Sequence, residues 1–398
     1  MRRWLIVPLV GAIFVGGSFG LCQGSVLSEP GMRVEAESAI LMEESTGEIL
    51  MEQNAHKPLP PASVTKMMVM LLAMEALDEG KIKLTDEVVA SPEACRMGGS
   101  QIWLEPGEVM TVADLLKAIC IVSANDASYA LAEHLAGSEE RFVALMNRRA
   151  KELGLKNTVY YNTTGLTPDH KGPGNMTSAY DMAVLARELL KHPKVLQWTG
   201  TWLDSVRDGK SYLRNTNNLV RFYQGCDGLK TGFTEDAGFC LVGTAKRDGV
   251  RMITVIMKAK TAKIRSREMS KLFNYGFSQY QATLIYPAGA TLGKVPVVLG
   301  KQKYVNAILP EALSVVLRRD IKEKPRVKVE LKKSLRAPVT KGAMVGKVLL
   351  TIDGKTVKEA LLTAQSEVQA LNAITAWWRT VTDFLGQMFV GDQVQISV

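Results

Sequence analysis

The sequence predicts an α+β protein built from three successive regions behind a short leader, and three observations carry that expectation. Strand-like runs stand at the start and again late in the stretch from 33 to 282, with helical periodicity filling most of the interval. Those runs are joined by short turns, which favours an antiparallel sheet flanked by helices over a βαβ series. Composition then changes near Ile285-Tyr286-Pro287-Ala288-Gly289, and residues 283 to 366 become rich in Val, Leu and Lys. At roughly 150 residues per domain, 398 residues give two to three units.

Each element has its own signal. Ala39-Ile40-Leu41-Met42 and Ile49-Leu50-Met51 read as two short strands around the turn Ser45-Thr46-Gly47. Pro60 and Pro61 stop any earlier helix, and an apolar helix starts near Ser63. From Asp114 to Lys191 the pattern is mostly helical, with Asp114, Asp126 and Asp181 near helix starts. Strands return at Phe239 to Ala245 and Met252 to Met257, and a helix from Ser266 to Tyr280 closes the unit. Farther on, Val327-Lys328-Val329-Glu330-Leu331-Lys332 alternates with period two, as a half-buried strand does, and 283–366 reads as a small all-β domain. Residues 368–390 read as an amphipathic helix.

Composition excludes several classes. Apolar residues make up 46% and charged residues 22%, ordinary globular usage that rules out disorder, collagen and a multi-span membrane protein. A net charge of +9 suits an anionic surface but is too dilute to indicate nucleic acid. Five cysteines are too few for a disulfide scaffold, and neither they nor His56, His134, His170 and His192 make a metal pattern. Residues 1–24 read as a secretory signal: Arg2 and Arg3, an apolar run from Trp4 to Leu21, then small residues before a cleavage point near Gly24. Pro8 and the glycines at 11, 16, 17 and 20 weaken an uncleaved spanning helix, and bulky Leu21 argues against lipid attachment at Cys22.

The chemistry begins at Ser63. Ser63 and Lys66 stand at i and i+3, so a helix puts both on one face. A serine hydroxyl becomes a useful nucleophile when a base takes its proton, and a buried lysine of lowered pKa can be that base. Alone, Ser-x-x-Lys is as well explained by a helix-capping serine and a surface lysine. About sixty residues later comes Ser123-Ala124-Asn125, and about a hundred beyond that Lys230-Thr231-Gly232, just ahead of the strand pair. Each piece again has a bland reading as cap, edge charge or bulge. Their joint order and spacing decide.

Taken together, the three motifs resemble those of penicillin-binding proteins and serine β-lactamases. The segments Ile40 to Leu50, Asn162-Thr163-Thr164-Gly165-Leu166, Ser178-Ala179-Tyr180-Asp181-Met182 and Asp227-Gly228-Leu229 narrow this. They look like the low-molecular-mass penicillin-binding proteins, the serine D-alanyl-D-alanine carboxypeptidases. The resemblance implies a β-lactamase/transpeptidase-like domain over 33–282 and covers the added β-domain and terminal helix as well. It implies that Ser63 attacks the carbonyl between the last two D-alanines of a peptidoglycan stem peptide, and that penicillin blocks Ser63. Lys66 would take the serine proton, its pKa held down by Lys230, and Ser123 would pass the proton to the leaving nitrogen. Asn125 would hold the substrate amide and orient Lys66, while Lys230 and Thr231 would bind the terminal carboxylate. Gly232 would let the strand approach the ligand, with backbone N–H groups of Ser63 and Phe233 as the oxyanion hole. No cofactor is implied. The middle motif carries Ala124, and Phe233 follows Lys-Thr-Gly where the family varies.

Other chemistries remain in view. A D,D-endopeptidase or transpeptidase uses the same motifs, because these set the acyl-enzyme and not the acceptor. A serine β-lactamase would be shorter and would need a deacylating carboxylate, yet no Glu-x-x-Leu-Asn lies between Asn125 and Lys230. An inactive wall-binding module conflicts with the intact Ser63, Lys66, Ser123 and Lys230 set. In the terminal helix, Leu371, Ile374, Trp378, Val381, Leu385 and Met388 form one stripe, widened by Trp377, Phe384 and Phe389. Arg379, Asp383 and Gln387 interrupt it, so it lies on a membrane surface instead of spanning it. Nine Lys/Arg against three Asp/Glu between Arg318 and Arg336 could face anionic lipid. The expectation is an exported enzyme on the outer face of the bacterial cytoplasmic membrane.

Overall fold

A computed structural model of the chain describes residues 32–166, 173–320, 325–352, 354–372 and 374–377. The expected signal at 1–24 lies outside them, as does the terminal stripe from Trp378 onward.

The chain opens with β1 (Ala36–Glu43) and β2 (Ile49–Gln53), an antiparallel pair. Next come α1 (Lys66–Asp78), β3 (Glu87–Val89), α2 (Pro92–Cys95) and β4 (Val109–Thr111). A helical block follows: α3 (Val112–Ile121), α4 (Asn125–Ala136), α5 (Glu139–Glu152), α6 (Ala179–Leu189) and α7 (Leu196–Thr199). A small hairpin of β5 (Leu203–Val206) and β6 (Ser211–Arg214) leads through α8 (Leu219–Phe222) to three long strands. These are β7 (Cys226–Thr234), β8 (Gly238–Arg247) and β9 (Val250–Ala259), and α9 (Ala262–Gln279) follows them. Side-chain caps mark two of the three expected helix starts, while α4, near Asp126, begins without one. Thr111 Oγ1 accepts from Asp114 N–H, and Ser178 Oγ from Asp181 N–H.

The main sheet runs β2-β1-β9-β8-β7, and all four neighbouring pairs are antiparallel. Strand periodicity divides its side chains between two cores. From β1, Ile40 and Met42 pack toward the helical block, whereas Ala39 and Leu41 pack toward α9. Val242 and Val255 take the first side, and Leu241 and Ile256 the second, where Met269, Leu272 and Phe273 cover them. With both faces buried, these strands read as near-continuous apolar runs. α1 is buried nearly all round and forms the centre of the helical core.

The second region is all β. β10 (Tyr280–Tyr286) starts where α9 ends and pairs with β13 (Leu313–Arg318), so the domain boundary expected at 282/283 falls inside a strand. Between and beyond these lie β11 (Thr291–Val298), β12 (Tyr304–Ile308), β14 (Arg326–Leu331), β15 (Leu335–Arg336), β16 (Met344–Ile352) and β17 (Lys355–Ala364). They form one sheet ordered β14-β16-β17-β12-β11-β15 over a core that includes Val295, Val348, Leu350 and Leu362.

Two expectations change here. Val327 and Val329 are 36% and 37% exposed, because β14 is the edge of its sheet and reaches past the core that should cover them. Val368 is not helical: it exchanges backbone hydrogen bonds with Val339, and Leu371 N–H donates to Leu299 O, so 368–371 complete the β-domain. Helix begins only after Asn372, whose Oδ1 accepts from Thr375 N–H, and Ile374 and Trp377 are exposed. Among the described residues no helix is long and apolar enough to cross a membrane.

Candidate active site

Ser63 and Lys66 meet, though not on one α-helix. After Pro60 and Pro61 the residues Ala62–Thr65 form a 3-10 turn, and Lys66 is the first residue of α1. The tighter turn still brings i and i+3 together. Lys66 Nζ lies 3.0 Å from Ser63 Oγ, 2.5 Å from Asn125 Oδ1 and 3.2 Å from Thr164 O.

The three contacts suit a neutral amine as well as an ammonium, and burial decides between them. Asn125 Nδ2 donates to Gly98 O at 2.5 Å, which turns Oδ1 toward Lys66. Asn125 Oδ1 and Thr164 O can only accept, whereas a serine hydroxyl can also donate. A neutral amine has two hydrogens and one lone pair. It satisfies all three contacts by donating to the two carbonyls and accepting the Ser63 hydroxyl proton. Lys66 is wholly buried, and burial holds its pKa well below the usual lysine value. Positive Lys230 pushes the same way, and Asp126 opposes. The Asp126 carboxylate is occupied, accepting backbone N–H groups of Ile102, Leu104 and Ala127.

The second motif joins α3 to α4. Ser123 has φ +67°, a left-handed backbone that is costly away from glycine. Its hydroxyl is buried, with no hydrogen-bond partner among the described residues. A buried polar atom left in that state is expensive, and such atoms cluster where ligands bind. Asn125 opens α4, its backbone N–H donating to Ser100 O. Its side chain therefore bridges the 98–100 loop and Lys66.

The third motif lies on β7, the edge strand of the main sheet, whose outer side is free to pair with an extended ligand. Lys230 is buried and donates to Thr231 O at 2.8 Å. Burial lowers its pKa to about 7 and buried Arg265 adds to the fall, partly offset by Cys120. Thr231 Oγ1 lies 2.6 Å from Thr216 Oγ1.

Gly232 makes a close contact inside the protein that the sequence did not suggest. A Cβ there would stand 2.7 Å from Pro61 O and 3.1 Å from Ser63 N, so the glycine lets β7 close on the Ser63 turn itself. Gly165 does the same from the other side, where a Cβ would overlap the Ala62 carbonyl. Phe233 is half-exposed and stacks on Phe239 with centroids 4.2 Å apart.

All three motifs thus converge on one cleft. From it a groove of about 500 Å³ extends between Pro60, Leu166, Asn175, Met176 and the Phe233–Asp236 end of the β7–β8 hairpin. A larger cleft of about 780 Å³ at the far end of α1 has no motif residue in its wall. The sequence pointed to no part in the site for Thr164, Gly165, Thr216 or Arg265, and for Asp126 only to a helix start. Thr164 and Gly165 do lie in a segment that carried the resemblance, but what they touch becomes visible only in the fold.

Comparison with known proteins agrees with this geometry. Residues 25–261 match the family model described as D-alanyl-D-alanine carboxypeptidase, and residues 280–370 match the C-terminal domain of penicillin-binding protein 5. The D-alanyl-D-alanine carboxypeptidase DacF of Bacillus subtilis is 43% identical over 395 residues, covering 96% of this chain and 99% of that protein. DacC of Escherichia coli, also a D-alanyl-D-alanine carboxypeptidase, is 36% identical, covering 84% and 85%. Among solved structures, a peptidoglycan synthesis regulatory factor (PBP3) of Streptococcus pneumoniae superposes with a TM-score of 0.70 at 31% identity, covering 85% of this chain and all of that one. Penicillin-binding protein D2 of Listeria monocytogenes in its ampicillin-bound form gives 0.57 at 34% identity, covering 63% and 100%. With a serine–lysine pair, a serine–asparagine turn and a Lys-Thr-Gly edge strand in one cleft, the chain belongs to the D-alanyl-D-alanine carboxypeptidase family of serine peptidases.

Proposed function

We propose that this protein removes the terminal D-alanine from peptidoglycan stem peptides through an acyl-enzyme on Ser63. The observation that carries it is the placement of wholly buried Lys66, whose Nζ stands 3.0 Å from Ser63 Oγ and is held there by Asn125 Oδ1 and Thr164 O. Neutral Lys66 takes the hydroxyl proton as Oγ bonds to the penultimate D-alanine carbonyl carbon. Backbone N–H groups of Ser63 and Phe233 hold the oxyanion. The C–N bond then breaks, and the proton passes from Lys66 through the Ser123 hydroxyl to the departing D-alanine nitrogen. Water hydrolyses the ester and restores Ser63. Lys230 and Thr231 hold the terminal carboxylate, and Asn125 holds Lys66 in line.

β-Lactams enter the same reaction as mimics of the acyl-D-Ala-D-Ala unit, a reading supported by the ampicillin-bound Listeria relative. A D,D-endopeptidase or transpeptidase would share every step up to the acyl-enzyme and differ in the bond cut or in the acceptor. Export by residues 1–24 and attachment by the segment after Asn372 would hold the cleft on the outer face of the cytoplasmic membrane, with the β-domain as a spacer. The test is labelling with a fluorescent penicillin followed by assay of D-alanine release. Wild type should do both, and Ser63→Ala should do neither while keeping its thermal unfolding midpoint. Continued labelling of the mutant would move the nucleophile to another residue.

A further inference from the structure

Thr216 lies on the link between β6 and α8, outside the three motifs. Its neighbours Asn215 and Asn217 are both buried. Asn215 Nδ2 donates to Thr199 O and Thr201 O, and its Oδ1 accepts from Asn217 N–H. Asn217 Nδ2 donates to Gly228 O on β7, and its Oδ1 accepts from Leu219 N–H. Thr216 N–H donates to Ile121 O at the end of α3, two residues before Ser123. The backbone is thus tied on both sides, to β7 and to the second motif. The Thr216 side chain alone is left exposed between two buried ones, with Oγ1 2.6 Å from Thr231 Oγ1.

We propose that Thr216 is a positioning residue for the carboxylate at the substrate's C-terminus. At 2.6 Å one hydroxyl must donate to the other, so the pair keeps a single O–H to offer outward. Either Thr216 donates to Thr231, which points its hydrogen at the ligand, or the order is reversed. In both cases an acceptor-only group beside the Lys230 ammonium is the matching ligand, and a carboxylate is such a group. Without Thr216 the Thr231 hydroxyl is free to rotate, and part of the preorganisation is lost.

The inference rests on the D-Ala-D-Ala reading and deepens it. Kinetics of the full-length enzyme on a soluble peptide ending in D-Ala-D-Ala, and on its C-terminal carboxamide, provide the test. Thr216→Val should raise KM for the acid roughly three- to ten-fold, the range of one hydrogen bond, with kcat near wild type. KM for the carboxamide should stay unchanged, and Thr216→Ser should restore the acid. An equal loss on both peptides, a fall in kcat with KM unmoved, or no change at all overturns the proposal. If Thr216→Val fails to fold, Thr216→Ala carries the same comparison with the same outcomes. A wild-type enzyme that releases no D-alanine from the acid would instead remove the parent reading, whatever the variants do.

Discussion

The two folded regions differ in that the catalytic unit, besides its paired surface cations, also buries cations without a carboxylate. In the catalytic unit Lys66, Lys230 and Arg265 are buried, and the hydrogen bonds they make go to carbonyl or hydroxyl oxygens. In the β-domain Lys328 and Lys347 are exposed and pair with Glu330 and Glu359. Exposed pairs of that kind contribute about 0–1 kcal/mol and chiefly keep a strand edge soluble. A buried cation without a carboxylate is costly, and it persists where the site needs a neutral base or awaits an anion. The buried cations of the first region are therefore tied to chemistry, and the exposed pairs of the second are surface.

The largest effect expected from breaking this contrast is at Lys66. Lys66→Met keeps most of the buried volume and removes the base. Acylation by penicillin should fall by at least about a thousand-fold, a typical size for losing a proton-transfer group together with nucleophile activation. Stopped-flow acylation rates measure it. A variant within ten-fold of wild type would mean that another group takes the Ser63 proton.

Lys230→Met separates binding from stability. Loss of the carboxylate partner should cost roughly ten- to a hundred-fold in kcat/KM on a D-Ala-D-Ala peptide. The same change should raise the unfolding midpoint. The folded pKa of Lys230 is about 7 against 10.5 for the free side chain, so between those values the folded state binds fewer protons. The burial penalty is then in full force below pH 7 and fades as pH rises toward 10.5. Calorimetry should find that wild type gains stability across that window and that Lys230→Met gains less. Parallel pH dependences would show that Lys230 is not buried as a cation.

A pH profile sharpens the same point with no mutation. On the proposed mechanism activity needs neutral Lys66 and charged Lys230. The acid limb of kcat/KM should reflect Lys66 and lie far below ordinary lysine titration, while the alkaline limb should begin near pH 7. Because the two ammonium groups interact, the limbs belong to the pair. In kcat the alkaline limb should move upward, since a bound carboxylate stabilises the Lys230 charge. An identical limb in both parameters would detach Lys230 from the carboxylate.

Much of this site was legible because acyl transfer demands particular side chains at fixed offsets, and offsets survive in a sequence. Ser63 with Lys66, Ser123 with Asn125, and Lys230 to Gly232 needed no fold to be found. The fold was readable where apolar runs were long, as in β1, β8, β9 and α1. What escaped depends on approach between distant segments. Gly232 serves the Ser63 turn, Thr164 supplies a backbone carbonyl that any residue could supply, and Thr216 matters only because Thr231 stands opposite. Val327 and Val329 were misjudged for a related reason, since alternation gives a strand's faces but not whether a neighbour covers them.

The smallest effect concerns the terminal segment, and it tests whether the β-domain's role is confined to surface and spacing. Because residues 368–371 complete that domain, a cut at 368 would remove its bonds to Val339 and Leu299 and mix unfolding with detachment. The informative truncation removes 373–398 and leaves the Asn372 cap as the new end. D-Alanine release from a soluble peptide should stay within about two-fold of wild type, since the hydrogen bonds of Lys66, Asn125, Lys230 and Thr231 all stay within the catalytic unit. Association with anionic vesicles should drop sharply, and the loss should be largest at low salt if the basic stretch from Arg318 to Arg336 assists. If vesicle binding survives the cut, the membrane contact lies elsewhere, in the leader or on that basic stretch alone. If soluble activity falls instead, the β-domain and its terminal segment support the cleft, and the division between chemistry and surface drawn from the cations is wrong.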